Sequence, residues 1–545
     1  MKQINPSKTT VVRLCTYLVL ALSPIISQTA MANVAAEVQQ TVPSHYNLSL
    51  SESSFTKNGK KIPQININGG FPGPNLVFRE GQTVSITVSN GLKRPASIHW
   101  HGLVIPPKMD GAPGFNGFMT VKSGANFTYS FTPRQTGTYW YHSHNGLLEQ
   151  EGLYGSIVIL PKTIDSGTNP TPDRSYDRDH VVLISDRLPS SAEKGFTEVV
   201  GRTMAMDDAH AMFGDLADVK GLQFLINGEE SQQPHSYIYS EGETLRLRLI
   251  NASANSIFDL WLQDLPMTIV AVDGQETKSL TVDELRFQPG QTFDVLIKPS
   301  GGKVFPLIAE SIDRSAAAVA LVAPMAGASF TLPAPRSHTL LNEGDISANF
   351  AKSNQGAMEG MEDMEGMEGM HHSTSPDIVQ QAKELNGKGW GFADTPEGKV
   401  ALDETQIESL APASDLRLPT RTITVNLTGN MAKYSWGMGE FNMKKGIRLA
   451  YNERVRINFV NDTLMAHPMH LHGLYMLQDS GYSPTAKVTQ LNPYLPLRHT
   501  VAVPPGKTVS VIVTGSEVGD WAFHCHLLFH MESGMMSRLT VAPAS

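Results

Sequence analysis

The stretch Glu80-Gly81-Gln82-Thr83-Val84-Ser85-Ile86 is a turn that runs straight into apolar–polar alternation, and the chain repeats this design twice more. Glu241-Gly242-Glu243-Thr244-Leu245-Arg246-Leu247 and Asn452-Glu453-Arg454-Val455-Arg456-Ile457 have the same form. A period of two sets alternate residues on one face, so each stretch reads as a turn entering a half-buried strand. A second echo follows in each unit. Ser123-Gly124 precedes Phe127-Thr128-Tyr129, Pro289-Gly290 precedes Thr292-Phe293-Asp294-Val295, and Pro505-Gly506 precedes Thr508-Val509-Ser510-Val511. Three related β-units in series are expected, each a sandwich that buries the alternate residues of two facing sheets.

Unit boundaries are expected near residues 162 and 345, which gives units at 33–162, 163–345 and 346–545. Gly242 lies 161 positions after Gly81, whereas Asn452 lies 210 after Gly242, so the third unit carries an insertion of about fifty residues. Composition agrees with an all-β chain. Of 545 residues, 46 are Gly and 34 Pro, with 41% apolar and only 17% charged, which favours many short strands and excludes a coiled coil. The balance of 43 basic against 52 acidic residues leaves a formal charge of −9, so no basic surface is available for a phosphate backbone and nucleic acid is not an expected partner.

Lys2, Lys8 and Arg13 flank an apolar run from Leu14 to Leu22, and Ala30-Met31-Ala32 offers the small-residue pattern of a cleavage site. Residues 1–32 therefore read as a signal peptide, and a periplasmic location is expected. Ser23, Pro24, Ser27 and Gln28 stop the apolar run well short of the roughly 20 residues that a span needs, so no integral membrane segment is expected in the mature chain. No paired arginines precede the apolar run, so the signal reads as Sec-like and anything the chain binds is expected to be loaded after export. Cys15 belongs to the signal, which leaves Cys525 as a lone thiol that cannot form an internal disulfide.

Of the 18 histidines, 10 fall in four clusters, two in the first unit and two in the last. They are His99-Trp100-His101-Gly102, Trp140-Tyr141-His142-Ser143-His144, His467-Pro468-Met469-His470-Leu471-His472-Gly473, and His524-Cys525-His526 followed by His530 and Met535. Every cluster contains His-x-His. On a strand, residues i and i+2 share a face, so each pair reads as a preformed clamp aiming two imidazoles at one metal. Cys525 lies between two such histidines and points to the opposite side of the sheet, so two sites stand back to back. On the cysteine side, His467, His530 and Met535 complete a His₂Cys set with a weak thioether, the ligand chemistry of a copper electron-transfer centre. Structural zinc has no use for such a methionine. Eight clustered histidines remain, enough for three further copper ions, and the Cys525 main chain joins the two sides as a redox relay.

These clusters, in this order, resemble the four signatures of the multicopper oxidases over essentially the whole mature chain. Thr138-Tyr139-Trp140-Tyr141-His142-Ser143-His144, Asn461-Asp462-Thr463 ahead of His467, and Trp521-Ala522-Phe523-His524-Cys525-His526 are similar to the copper-resistance protein A branch. The resemblance implies three cupredoxin-like Greek-key β-sandwich domains and four copper ions: one type 1, one type 2 and two type 3. It implies type 1 ligands His467, Cys525, His530 and Met535, with Met536 the less favoured axial group, and type 2 ligands His99 and His470. It gives His101, His142 and His526 to one type 3 copper and His144, His472 and His524 to the other. The middle unit, which has none of the clusters, is expected to be a spacer. The family reaction is one-electron oxidation of donors coupled to reduction of O₂ to water. Asp110, in Met109-Asp110-Gly111, resembles the outer acid that relays protons, whereas the place after the last type 1 histidine, acidic in some relatives, is Met531 here, with Glu532 next.

The insertion contains Met358, Met361, Met364, Met367 and Met370 at three-residue spacing, then His371 and His372, with acidic residues and glycines between. This composition argues for an exposed, mobile segment. Thioethers are soft ligands that favour Cu(I), and imidazoles can hold Cu(II), so copper itself is the expected substrate. O₂ is the expected acceptor, and phenols are the alternative donors of a laccase-like enzyme. Copper sequestration with incidental turnover is the alternative outside catalysis.

Overall fold

The computed structural model describes residues 42–162, 174–201, 214–347, 388–391 and 395–544, apart from residues 432, 484, 486 and 487. The expected signal peptide, 1–32, and the expected copper-substrate segment, Met358 to His372, lie outside the described residues.

Each repeated turn carries a residue in the left-handed region: Gly81 at φ 76°, Gly242 at φ 86° and Asn452 at φ 62°. Glycine and asparagine are the residues that adopt this conformation at least cost. The strands they launch, Val84–Asn90, Leu245–Asn251 and Arg454–Asn461, occupy equivalent places. Each runs parallel to the first strand of its unit, His45–Lys57, Arg178–Arg187 or Arg421–Asn430. Each is also antiparallel to the strand of the second echo, Asn126–Phe131, Thr292–Ile297 or Thr508–Thr514. The two sequence echoes are thus neighbouring strands of one sheet, three times over.

Among the described residues, six sheets, of four, four, seven, five, six and five strands, form three pairs along the chain. Each pair encloses one apolar core. Val84, Ile86 and Val88 pack with Ile157 and Ile159 in the first, and Leu245, Leu247 and Leu249 with Leu260 and Leu307 in the second. Val455, Ile457 and Phe459 pack with Phe523, Leu539 and Val541 in the third. At about 1.5–3 kcal/mol for each fully buried large aliphatic or aromatic side chain, these faces hold the sandwiches together. Among the described residues, the α-helices are short, Ala192–Val200 and Leu528–Glu532, and no helix is long and apolar enough to cross a membrane.

Two sheets position the histidines. In the first unit the strand His99–His101 pairs antiparallel with Gly137–His142, placing His99 opposite His142 and His101 opposite Trp140. In the last unit His467–Leu471 pairs with Gly519–Cys525, placing His470 opposite His524 and Met469 opposite Cys525. The middle unit does more than keep these two in register. Its Thr292–Ile297 strand offers Asp294 to the Thr138 hydroxyl at 2.6 Å. Its Pro289-Gly290 turn presses on the histidines themselves: a Cβ at Gly290, φ 83°, would lie 2.8 Å from the His526 ring and 3.2 Å from that of His101.

Candidate metal centre

All ten clustered histidines and Cys525 are buried. The strand Gly519–Cys525 delivers Cys525 to the core side of its sheet, away from His524. There Cys525 Sγ lies 3.7 Å from His467 Nδ1 and 3.8 Å from His530 Nδ1, and the two nitrogens are 3.2 Å apart. The remaining ring nitrogens are occupied, His467 Nε2 by the Thr463 hydroxyl at 2.7 Å and His530 Nε2 by Asp218 Oδ2 at 3.0 Å. Those partners fix each ring with Nδ1 facing the sulfur. Trp436 stacks on His530 with centroids 4.0 Å apart. Met535 is fully buried in the same core cluster, and its carbonyl accepts the Cys525 N–H at 3.1 Å. Met536 lies on the following strand opposite His524 and packs toward Ala112 and Phe115. Burial pushes the Cys525 thiol up, so a cation that binds here must displace its proton.

On the opposite side, eight histidines meet between the first and last units. His144 Nε2 and His472 Nε2 each approach His524 Nε2 to 3.1 Å. His142 Nε2 and His526 Nε2 each lie 3.3 Å from His101 Nδ1. His99 stacks on His472 and His470 on His101, with centroids 3.7 and 3.8 Å apart. Two of the His-x-His pairs bring both rings to one group, His99 and His101 with His142, and His470 and His472 with His99. The rings of the other two pairs are divided: His144 and His524 join His472, whereas His142 and His526 each approach His101. The division follows the strand ends: His144 and His526 fall just past the strands that carry His142 and His524, where the two-residue period lapses.

The outer nitrogens are held from behind. His99 Nδ1 donates to the Asp110 carbonyl at 2.8 Å, and His470 Nδ1 to the His499 carbonyl at 2.7 Å. His524 Nδ1 donates to the Cys525 carbonyl at 2.8 Å. The Asp110 carboxylate spans two groups, with Oδ2 2.8 Å from His472 Nδ1 and Oδ1 3.4 Å from His99 Nδ1. Burial opposes ionisation of Asp110, but the imidazoles of His472 and His99 outweigh it and hold the carboxyl well below its usual range. Burial and mutual repulsion hold His101, His142, His144, His470 and His524 well below the usual imidazole range, with His472 at about 4 and His526 at about 3.

These residues fit metal ions. Neutral imidazoles are ligands, and His99 Nε2 and His470 Nε2 are buried without a hydrogen-bond partner among the described residues, an arrangement whose desolvation cost a bound cation removes. The donor set of imidazoles plus one thiolate and one thioether suits copper.

Four contributors were not visible in the sequence. Glu149 Oε2 lies 2.5 Å from His142 Nδ1, and burial together with nearby Asp186 and Glu532 holds its carboxyl well above the usual range. Glu149, rather than Met531 or Glu532, is therefore the carboxyl that touches a clustered histidine on that side. His499 Nδ1 lies 3.2 Å from His101 Nε2. Asp218 and Asp273 come from the middle unit, the latter accepting from the Arg498 Nε at 2.9 Å. All four stand singly in the sequence, without a cluster or period to signal them.

Known proteins place this arrangement. Profiles of the family described as multicopper oxidase match residues 49–164, 202–326 and 417–545. Copper resistance protein A of Escherichia coli is 33% identical over 93% of this chain and 94% of its own length. A copper resistance protein A homolog of Pseudomonas syringae pv. tomato is 34% identical over 91% and 92%. Among solved structures, Fet3p, a multicopper oxidase that functions in iron import, superposes with a TM-score of 0.69 at 18% identity, covering 91% of this chain and 90% of that one. The laccase of Botrytis aclada gives 0.66 at 20%, covering 92% and 88%. At such identities these two speak for the cupredoxin-like fold alone. With family matches in all three β-units and the buried histidines and cysteine gathered as described, the chain belongs to the multicopper oxidase family, in the branch of copper resistance protein A, and is an oxidoreductase whose sites take four copper ions.

Proposed function

We propose that the protein is an exported, periplasmic oxidase of copper tolerance that converts Cu(I) to Cu(II) at the Cys525 site and reduces O₂ to water among the eight histidines. The reading gives His467, Cys525, His530 and Met535 to the type 1 copper and His99 and His470 to the type 2 copper. His101, His142 and His526 go to one type 3 copper, and His144, His472 and His524 to the other. When bound, these ions supply one-electron chemistry at the thiolate and a four-electron store for oxygen.

The chain's own part is to connect and orient. Cys525 is covalently continuous with His524 and His526, so the thiolate and the histidine groups share one stretch of main chain. Asp110 holds the Nδ1 edges of His99 and His472, and Glu149 that of His142, which leaves Nε2 facing inward in each. The proton relay assigned to Asp110 in this reading is supported by its position, with the carboxylate reaching both His472 and His99.

The observation that carries Cu(I) as donor is Asp218. Its buried carboxylate bonds the outer edge of His530 and accepts the Tyr434 hydroxyl at 2.6 Å, so a negative group lies directly behind the ligand that receives the electron. Burial works against ionisation of Asp218, but the His530 contact and the Tyr434 bond outweigh it and hold the carboxyl below its usual range. A cation is favoured there. The Met-rich segment supports the same donor through its two roots. Ser347 bonds Asp462 at 3.1 Å, and Gly389 donates to the Leu340 carbonyl at 2.8 Å. Leu341, Trp390 and Ala466 share one apolar cluster, directly before His467. Met358, Met361, Met364, Met367, Met370, His371 and His372 stand in the sequence between these two roots, and in this reading they pass copper to the site.

The test compares oxygen consumption with Cu(I) and with a phenol, in the whole protein and in one lacking residues 358–372. Cu(I) oxidation should fall at least tenfold while phenol oxidation holds. Equal Cu(I) rates, with phenols the faster donors, would make the protein a laccase instead.

A further inference from the structure

We propose that Asp273, on the ligand-free middle unit, is the positioning residue of the type 2 copper ligand His470; this rests on the ligand assignment of the preceding section. Asp273 and Gly274 form the tight turn between Met267–Val272 and Gln275–Val282, with Asp273 itself in the left-handed region at φ 50°. Its carboxylate is fully buried and reaches across into the last unit. Oδ2 accepts from Arg498 Nε at 2.9 Å, from the His499 N–H at 3.2 Å and from the Thr500 N–H at 3.3 Å. Oδ1 accepts the Thr292 N–H at 3.1 Å, which ties the same carboxylate to its own unit.

The peptide so gripped is the one that aims His470. The His499 carbonyl takes the proton of His470 Nδ1 at 2.7 Å, and the Thr500 hydroxyl lies 3.2 Å from the same nitrogen and 3.3 Å from His101 Nε2. With Nδ1 anchored, His470 Nε2 is left buried, partnerless and turned to the site. Rotation of the 498–500 main chain would carry the acceptor, and with it the ring. Arg498, fully buried, is held on its far side by Glu404 at 3.2 Å and Gln478 at 3.0 Å, so the loop is braced from both directions. Groups of this kind behind a metal ligand typically change metal affinity by about 10–100-fold.

The inference is tested on the copper-loaded full-length protein by paramagnetic resonance, copper content and visible absorption together. Asp273→Asn removes the charge and keeps the shape. The variant should lose type 2 copper to a chelator at least tenfold more readily than the parent, with a displaced type 2 hyperfine pattern, while the thiolate band stays intact. Asp259→Asn, which breaks another buried ion pair of the same unit with Arg286 and Arg314, should keep the parental type 2 signal. A parental signal and retention in Asp273→Asn overturn the inference, as does an equal loss in both variants, which would mark general loosening. If the parent itself shows no type 2 signal, the ligand assignment falls, and this inference falls with it.

Discussion

Asp218 and His530 are 312 positions apart in sequence, yet the Asp218 carboxylate accepts the His530 Nε2 proton at 3.0 Å. Through this bond the middle unit contributes to the thiolate site although it supplies no ligand. A carboxylate behind a ligating imidazole makes it a stronger donor and favours the more highly charged metal.

Replacing Asp218 by Asn should therefore raise the potential of the type 1 site. Loss of a charge-assisted hydrogen bond worth about 1.5 kcal/mol corresponds to roughly 60 mV for one electron. A redox titration of the visible band checks the direction. Turnover with Cu(I) should fall more than turnover with a neutral phenol, because the cation loses its attracting charge.

Gly290→Ala should damage the histidine side alone. The added methyl would meet His526 and His101, at a φ of 83° where a side chain is already strained. A cost of about 2–3 kcal/mol should appear as loss of type 2 and type 3 copper by metal analysis. The thiolate band, on the other side of Cys525, should persist.

Asp110→Asn should weaken both groups that the carboxylate bridges, with copper retention about 10–100-fold poorer and slowed oxygen reduction. Oxidation of a donor in a single turnover, which needs only the thiolate site, should keep its rate. Stopped-flow bleaching of the visible band under nitrogen separates the two.

The metal-free protein should lose stability on acidification. His472 and His499 are held at about 4 and His526 at about 3, against an ordinary value near 6.5, because burial disfavours their charged forms. Between those values the unfolded chain binds more protons than the folded one, so stability falls as pH falls, by up to about 1.4 kcal/mol per pH unit for each such group. Thermal melts of the metal-free protein between pH 7 and 4 should show a steep decline. Copper loading should flatten its upper part, since a ligated imidazole does not take up a proton.

The β-units and the histidine groups were legible because both are written locally. Gly81, Gly242 and Asn452 announce equivalent turns through a conformation few residues adopt, and His-x-His survives in a short window of sequence. The grouping of histidines within the site was not legible from spacing, since it depends on where strands end and which ring faces which unit. Asp218, Glu149, Asp273 and His499 escaped for a related reason. Asp218, Asp273 and His499 act across long separations, 225 positions between Asp273 and Arg498 and 398 between His101 and His499, while Glu149 is near His142 in sequence but, like them, is a lone residue with no periodic signature. Absence of ligands in the middle unit likewise says nothing about the groups there that hold ligands in place.

The thiolate offers the most direct measurement: copper content and visible absorption of the loaded protein beside its Cys525→Ser variant. The expected result is four copper ions per chain with an intense sulfur-to-copper band, and in the variant three ions with no band and no oxidation of donors. A fully loaded parent without that band, or a variant that keeps both colour and turnover, would contradict the relay through Cys525.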